Sequence, residues 1–184
     1  MEHLSTSELY AGLDHIRAAP RDQGRVALIV RRPEIDRREE LEEGELDVSL
    51  GLVGDNWLTK GSGSTPDGAA DRDSQLNVMN ARLAALVAQV PDRWALAGDQ
   101  LYLDLDISVA NLPTGTRLQM GSAAIEVTPK PHLGCAKFTR RFGLDAMRFV
   151  NSPVGKQLRL RGLCARVVTP GRVRRGDAVT VLRP

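Results

Sequence analysis

The sequence predicts a mainly β protein of the α+β class, a closed or nearly closed β-barrel with helices at its periphery. Three observations carry this expectation. Many short segments show the apolar run or the two-residue alternation of strands. Helical spacing is confined to a few short stretches. Strands do not alternate regularly with helices, as a doubly wound parallel sheet requires. A barrel removes the exposed edges that so many short strands would otherwise leave.

The elements follow in order. Ser5-x-x-Glu8 fits a capping box, and Leu9, Leu13 and Ile16 fall on one face of a helix that runs toward Pro20. Residues 1–20 therefore read as an N-terminal helical extension packed outside a single barrel domain, 21–184. "RVALIVRR" (25–32) is an apolar run of strand length, expected to be covered on both faces. "ELDVSL" (45–50) alternates, with Leu46, Val48 and Leu50 inward, and "GLVGD" (51–55) reads as a turn. "KGSGSTPDGAADRDS" (60–74) is a polar loop too long for a hairpin connection, either a lid near a site or a disordered segment. Asn80 is placed to cap a helix carrying Leu83, Leu86, Val87 and Val90, stopped near Pro91. Leu101, Leu103 and Leu105 share one face of the strand "LYLDL". "TRLQMGSAAIEVT" reads as a hairpin turning at Gly121–Ser122. "LCARVV" (163–168) and "AVTVL" (178–182) supply two more strands.

At 184 residues the chain is long enough for one domain with a proper core. A net charge of +2 gives no strong attraction to nucleic acid. The charge is unevenly spread, however. Residues 34–55 are strongly acidic, whereas Asp145 is the one acid between Lys130 and Arg175. That asymmetry points to a local anion site. Two cysteines make no disulfide framework, and the first residues lack the basic start and apolar run of a signal peptide. No stretch approaches the roughly 18 apolar residues of a membrane span. A cytoplasmic protein with reduced thiols, free of nucleic acid and membrane, is expected.

The chemistry concentrates in "PHLGCAKFTRRFG" (131–143). Phe138, Phe142, Met147 and Phe149 have helical spacing, with a break at Gly143, so Cys135 falls at a helix N-terminus. Free N–H groups, the helix dipole and the cations Lys137, Arg140 and Arg141 would all favour thiolate over thiol. The competing reading is a small buried hydrophobe beside a solvated basic face. Cys164, inside a regular strand, reads as structural. His132 and Cys135 have a zinc-like spacing without a second pair, and a Cys-His dyad three positions apart in a loop seldom has usable geometry.

In order, "GLVGD", "LAGDQLYLDLDIS" (96–108), "LPTGTRLQMGSAAIEVT" (112–128), "GCAKFTRRFG" (134–143) and "LRGLCARVVTPGRVRRGDAVTV" (160–181) resemble MOSC domains. These are named for the molybdenum cofactor sulfurase C-terminus. The likeness spans about residues 25 to 182 and is to the stand-alone bacterial type, without a pyridoxal-phosphate desulfurase domain. It implies a barrel-based fold that binds the molybdenum cofactor (molybdopterin). Cys135, in the Cys-x-Lys position, would be the catalytic sulfur carrier or the molybdenum ligand, with Lys137 the neighbouring cation. Some members reduce N-hydroxylated compounds. Asp99-Gln100-Leu101 fits the family's Gly-Glu-Asn-Leu-like turn, with Asp for Glu and Gln for Asn, and would line the same site. Arg166 matches a family arginine for the cofactor phosphate, against a reading as a barrel-face residue paired with an acid; Arg141 is a second candidate on charge. A cysteine desulfurase or redox partner is implied. The alternative is a non-catalytic module that binds an anion or docks a protein.

Overall fold

The structure is a computed structural model and describes residues 2–183. Eleven strands occur in it: β1 (Gln23–Arg31), β2 (Glu39–Leu41), β3 (Glu43–Asp47), β4 (Gly51–Leu52), β5 (Leu76–Asn80), β6 (Leu101–Asp104), β7 (Arg117–Met120), β8 (Ala123–Val127), β9 (Leu163–Thr169), β10 (Gly171–Arg174) and β11 (Ala178–Leu182). Seven of them close a ring in the order β11-β7-β8-β9-β5-β6-β1, sealed by an antiparallel β1–β11 pairing, with β2 added to β1. A small second sheet has the order β10-β3-β4.

The apolar pattern explains the ring. Leu101, Leu103, Leu105, Leu163, Ala165 and Val167 point into the barrel, as their two-residue spacing requires. The register of β1 shifts between Val26 and Leu28. This bulge adds one residue, so Val26 and Ile29, three apart, both face inward while Leu28 and Val30 face out. The outer face of β1 is covered by a second cluster from the helices, which accounts for its continuous apolar run. Truncating a fully buried leucine such as Leu103 to alanine would cost about 2–5 kcal/mol.

The helices are α1 (Thr6–Ala11), α2 (Leu13–Arg17), α3 (Trp57–Lys60), α4 (Ala81–Ala88), α5 (Ala136–Phe142), α6 (Leu144–Asn151) and α7 (Pro153–Gln157). The capping box at Ser5 and Glu8 is present. The single N-terminal helix expected from periodicity is instead two, divided at Gly12, whose lack of a side chain admits Leu86 close by. Leu9, Leu13 and Ile16 nonetheless share the second cluster with α4 and α6.

Asn80 both ends β5 and starts α4: its Oδ1 accepts from the amides of Arg82 and Leu83, and its Nδ2 donates to the Leu105 carbonyl. The unit β5-α4-β6 is a parallel crossover. A 3-10 turn, Pro91–Ala97, returns the chain to Gly98 at the mouth of β6. The hairpin turning at Gly121–Ser122 is as expected.

The strand expected over 45–50 stops earlier. Asp47 Oδ1 accepts from the amides of Ser49 and Leu50, which bends the chain, so Val48 is half-buried and Leu50 exposed. Gly51–Leu52, expected as turn, then pairs back on β3. The loop 60–74 is anchored to the body through Asp71: Trp57 Nε1 donates to its carbonyl, and Lys130 pairs with its carboxylate. Among the described residues no helix is long and apolar enough to cross a membrane.

Candidate functional site

A cavity of about 240 Å³ opens where the chain leaves β1, where Gly98 enters β6, and where α5 begins. Its lining carries the cations Arg32, Arg38, Lys60, Lys137, Arg141 and Arg161 against two acids, Glu34 and Asp36, so its net sign is positive. Some of these cations are already neutralised. Arg32 makes a fork to the fully buried Asp55 carboxylate at 2.8 Å on each arm. Lys137 and Arg141 converge on Asp36 Oδ1 at 3.2 and 2.9 Å. Arg141 also donates to the Leu96 carbonyl at 2.7 Å, which fixes its guanidinium.

Arg38 differs. Its Nη1 donates to the Arg37 carbonyl at 2.7 Å, but its buried Nε has no partner, and it has no acidic partner among the described residues. Burial, followed by the like charges of Arg141 and Arg32, lowers its pKa from the ordinary value. Gly98 has φ +89°, where glycine is free of strain. A Cβ there would lie 3.4 Å from Arg38 Nη2 and 3.6 Å from Arg141 Nη1. Glycine thus keeps open the space beside two guanidinium groups.

Cys135 is the N-cap residue of α5 and is exposed. Partial burial pushes its thiol up. The facing amides of Phe138 and Lys137, then the charges of Arg161 and Arg141, outweigh burial and hold the pKa below its ordinary value. Those amides orient on the sulfur without closing a full capping hydrogen bond. The break at Gly143 falls as expected, with Phe138 and Phe142 anchoring α5 in the second cluster. Cys164 is buried, and desolvation pushes its thiol up to about 12.

The structure distributes the expected site residues unevenly. It brings Cys135, Lys137 and Arg141 to one cavity. Asp99 lies beneath it: the carboxylate is fully buried and accepts from Arg161 Nη1 at 3.0 and 2.8 Å and from His132 Nε2 at 2.9 Å. Burial opposes its ionisation, but Arg161 and His132 keep it below the usual carboxylate range. An ionised Asp99 makes Nε2 the protonated nitrogen of a neutral His132, whose own pKa is lowered by burial and by Arg161. His132 therefore serves Asp99 and faces a different cavity from Cys135.

Gln100 is also fully buried: Oε1 accepts from the Asn77 amide at 2.8 Å and Nε2 donates to the Gln75 carbonyl at 3.3 Å. It braces the floor of the pocket and does not line it. Arg166 stands apart, paired with Glu126 at 2.6 Å and Asp73 at 3.5 Å, in keeping with a barrel-face ion pair.

Sequence reasoning missed Arg32, Arg38 and Arg161. Arg38 sits in an acidic stretch, where a cation looks neutralised. Arg161 left no signal in local spacing; its need follows only from the burial of Asp99, since a carboxylate so buried requires a cationic partner. Among the described residues, no group of three or more His, Cys, Asp or Glu side chains could hold a metal ion. A metal at Cys135 would need ligands brought by another molecule.

The site is thus a reachable thiol on a cationic pocket beside a barrel closed by its last strand. The chain belongs to the MOSC domain family, whose sequence profile matches residues 69–180. The fold is similar to the crystal structure of the YuaD protein from Bacillus subtilis, with TM-score 0.57 at 17% identity over 86% of this chain and 95% of that one. It is also similar to YiiM from Escherichia coli, with TM-score 0.55 at 21% identity over 87% and 70%. YiiM from Geobacillus stearothermophilus gives 0.52 at 14% identity over 87% and 75%. At these identities the likeness concerns the fold. No curated protein matches the chain significantly.

Proposed function

We propose that this domain binds the molybdenum cofactor, molybdopterin, in the cavity at Cys135, where the thiolate acts as molybdenum ligand or as sulfur carrier. One observation carries the reading: a reachable, acidified thiol shares a small pocket with Arg38, a half-buried cation lacking an acid. Family membership supports molybdopterin as the anion.

The donor set fits such a group. Arg38 presents a guanidinium group without an acid, and Arg141, held by the Leu96 carbonyl, offers a second once Asp36 is displaced; guanidinium groups suit a phosphate, and Gly98 leaves room beside both. Lys137 adds a mobile charge now occupied by Asp36, an exposed acid that an incoming anion can replace. When bound, the cofactor supplies a soft redox metal centre for which a thiolate is a matched ligand.

The chain's own residues do the rest. The α5 amides and Arg161 favour the ionised sulfur, and Asp99 holds Arg161 in place. Were Cys135 a carrier, its thiolate would receive a sulfane sulfur from a cysteine desulfurase; were it a metal ligand, a redox partner would supply electrons to reduce N-hydroxylated compounds. The test is metal and pterin analysis of the purified protein, then assay of N-hydroxylated substrates, with Cys135→Ser beside the parent. The reading expects pterin with molybdenum in the parent and loss of activity in the variant. A parent that binds pterin without turnover, and a Cys135→Ser protein that keeps that ligand, would instead make this a binding module; full activity in the variant would remove the thiol from the reaction.

A further inference from the structure

A second, larger cavity of about 400 Å³ lies between the segment preceding Cys135, the α7 end and the start of β9. Four cations line it, Lys130, Lys156, Arg159 and Arg161, together with His132, and no carboxylate does. Lys130 is satisfied by Asp71 and Arg161 by Asp99. Lys156 and Arg159 have no acidic partner among the described residues. Apart from Thr128 the rest of the wall is apolar, and two of its members, Val109 and Leu133, stand 49% exposed at the rim.

Arg159 is the informative residue. It follows α7 at φ +48°. Leu160 N–H donates to the Gly155 carbonyl at 2.8 Å and Arg159 N–H to Lys156 at 3.3 Å, the paired bonds that close a helix end on a left-handed residue. Glycine is the unstrained choice there, and an arginine is strained. Its guanidinium is partly buried, so desolvation lowers its pKa, yet among the described residues its side chain makes a single hydrogen bond, at 2.6 Å to the Leu112 carbonyl. Arg161, whose side chain is 7% exposed and whose buried Nε has no partner, lines this cavity as well as the one at Cys135.

We infer that this second cavity binds a small organic anion, with an apolar body against Val109 and Leu133 and a carboxylate or phosphate on Arg159 and Lys156. A desolvated cation kept in a backbone conformation that disfavours it, beside exposed apolar side chains, is the arrangement such a ligand would complete. The inference stands apart from the Cys135 reading, since neither the thiol nor Arg38 takes part.

Calorimetry on the purified full chain tests it with benzoate, phenyl phosphate, benzamide and inorganic phosphate. Benzoate or phenyl phosphate should bind saturably, with a dissociation constant of roughly 0.1–1 mM, and whichever binds more tightly tells which head group fits. Benzamide, which lacks the charge, and inorganic phosphate, which lacks the apolar body, should each bind at least ~10-fold more weakly. Arg159→Gly relieves the backbone, so its melting temperature should hold or rise while affinity falls ~10-fold or more. Arg159→Lys should recover part of that loss, and Arg38→Gln should bind these probes as the parent does. The inference is overturned if neither organic anion saturates, or if benzamide matches benzoate. It is equally overturned if Arg159→Gly binds like the parent, if Arg159→Lys binds no better than Arg159→Gly, or if Arg38→Gln abolishes binding.

Discussion

Arg172 and Arg174 on β10 lie against Glu43 of the neighbouring strand β3, and Arg175 meets Glu42 and Glu40. Arg38, at the pocket mouth, has no such acid. In sequence, the acidic stretch 34–55 and the basic stretch 130–175 look like two separate charged surfaces. In space β3 and β10 are hydrogen-bonded neighbours, so much of that charge cancels between them. What survives cancellation is Arg38 beside Cys135 and, in the second cavity, Lys156 and Arg159. Clustered arginines therefore mark an anion site only after their partners are subtracted.

Removing a buried partner sharpens that contrast most. Arg161→Gln strands the Asp99 carboxylate and should cost about 3–5 kcal/mol, read by urea unfolding at neutral pH. The same pair sets an acid limb. Because the folded pKa of Asp99 is depressed, its stabilisation is present above the unfolded value of about 3.9 and is lost as pH falls further. The parent should lose this contribution at acid pH, and an Arg161→Gln chain should lose less there.

Next come the two thiols. In the native protein Cys135 should alkylate with an apparent pKa below that of a free cysteine, and Cys164 should react at least ~100-fold more slowly, equivalent to about 2.7 kcal/mol. Peptide mapping after timed labelling reads both; equal rates would break the distinction. Arg38→Gln follows, lowering affinity for the pocket's anion about 10-fold, or about 1.4 kcal/mol, while thermal stability holds or rises because an unpaired half-buried charge is gone. Smallest is Arg172→Gln, an exposed pair whose loss should stay within about 0.5 kcal/mol and leave anion affinity untouched.

Much of the barrel was legible because its inward residues alternate without interruption, as at Leu101, Leu103 and Leu105 or Leu163, Ala165 and Val167. β5 was not, since "LNVMN" runs straight into the helix that Asn80 caps, leaving no turn residue to announce a strand. The second sheet was only half visible, because its pairing depends on residues more than a hundred positions apart. At the site, Cys135, Lys137 and Arg141 lie within a single turn and a half of helix and could be seen together. Arg38 and Arg161 arrive from opposite ends of the chain, and local spacing carries no trace of that meeting. Asp99 and Gln100 were noticed for their motif, yet their side chains are consumed beneath the pocket floor.

The ring is sealed by β11, which bridges β1 and β7. As a ribosome emits this chain, one edge of β1 and one edge of β7 stay open until residues 178–182 appear. Trimming the protein before Ala178 should therefore yield a sticky, self-associating product rather than a slightly weaker barrel.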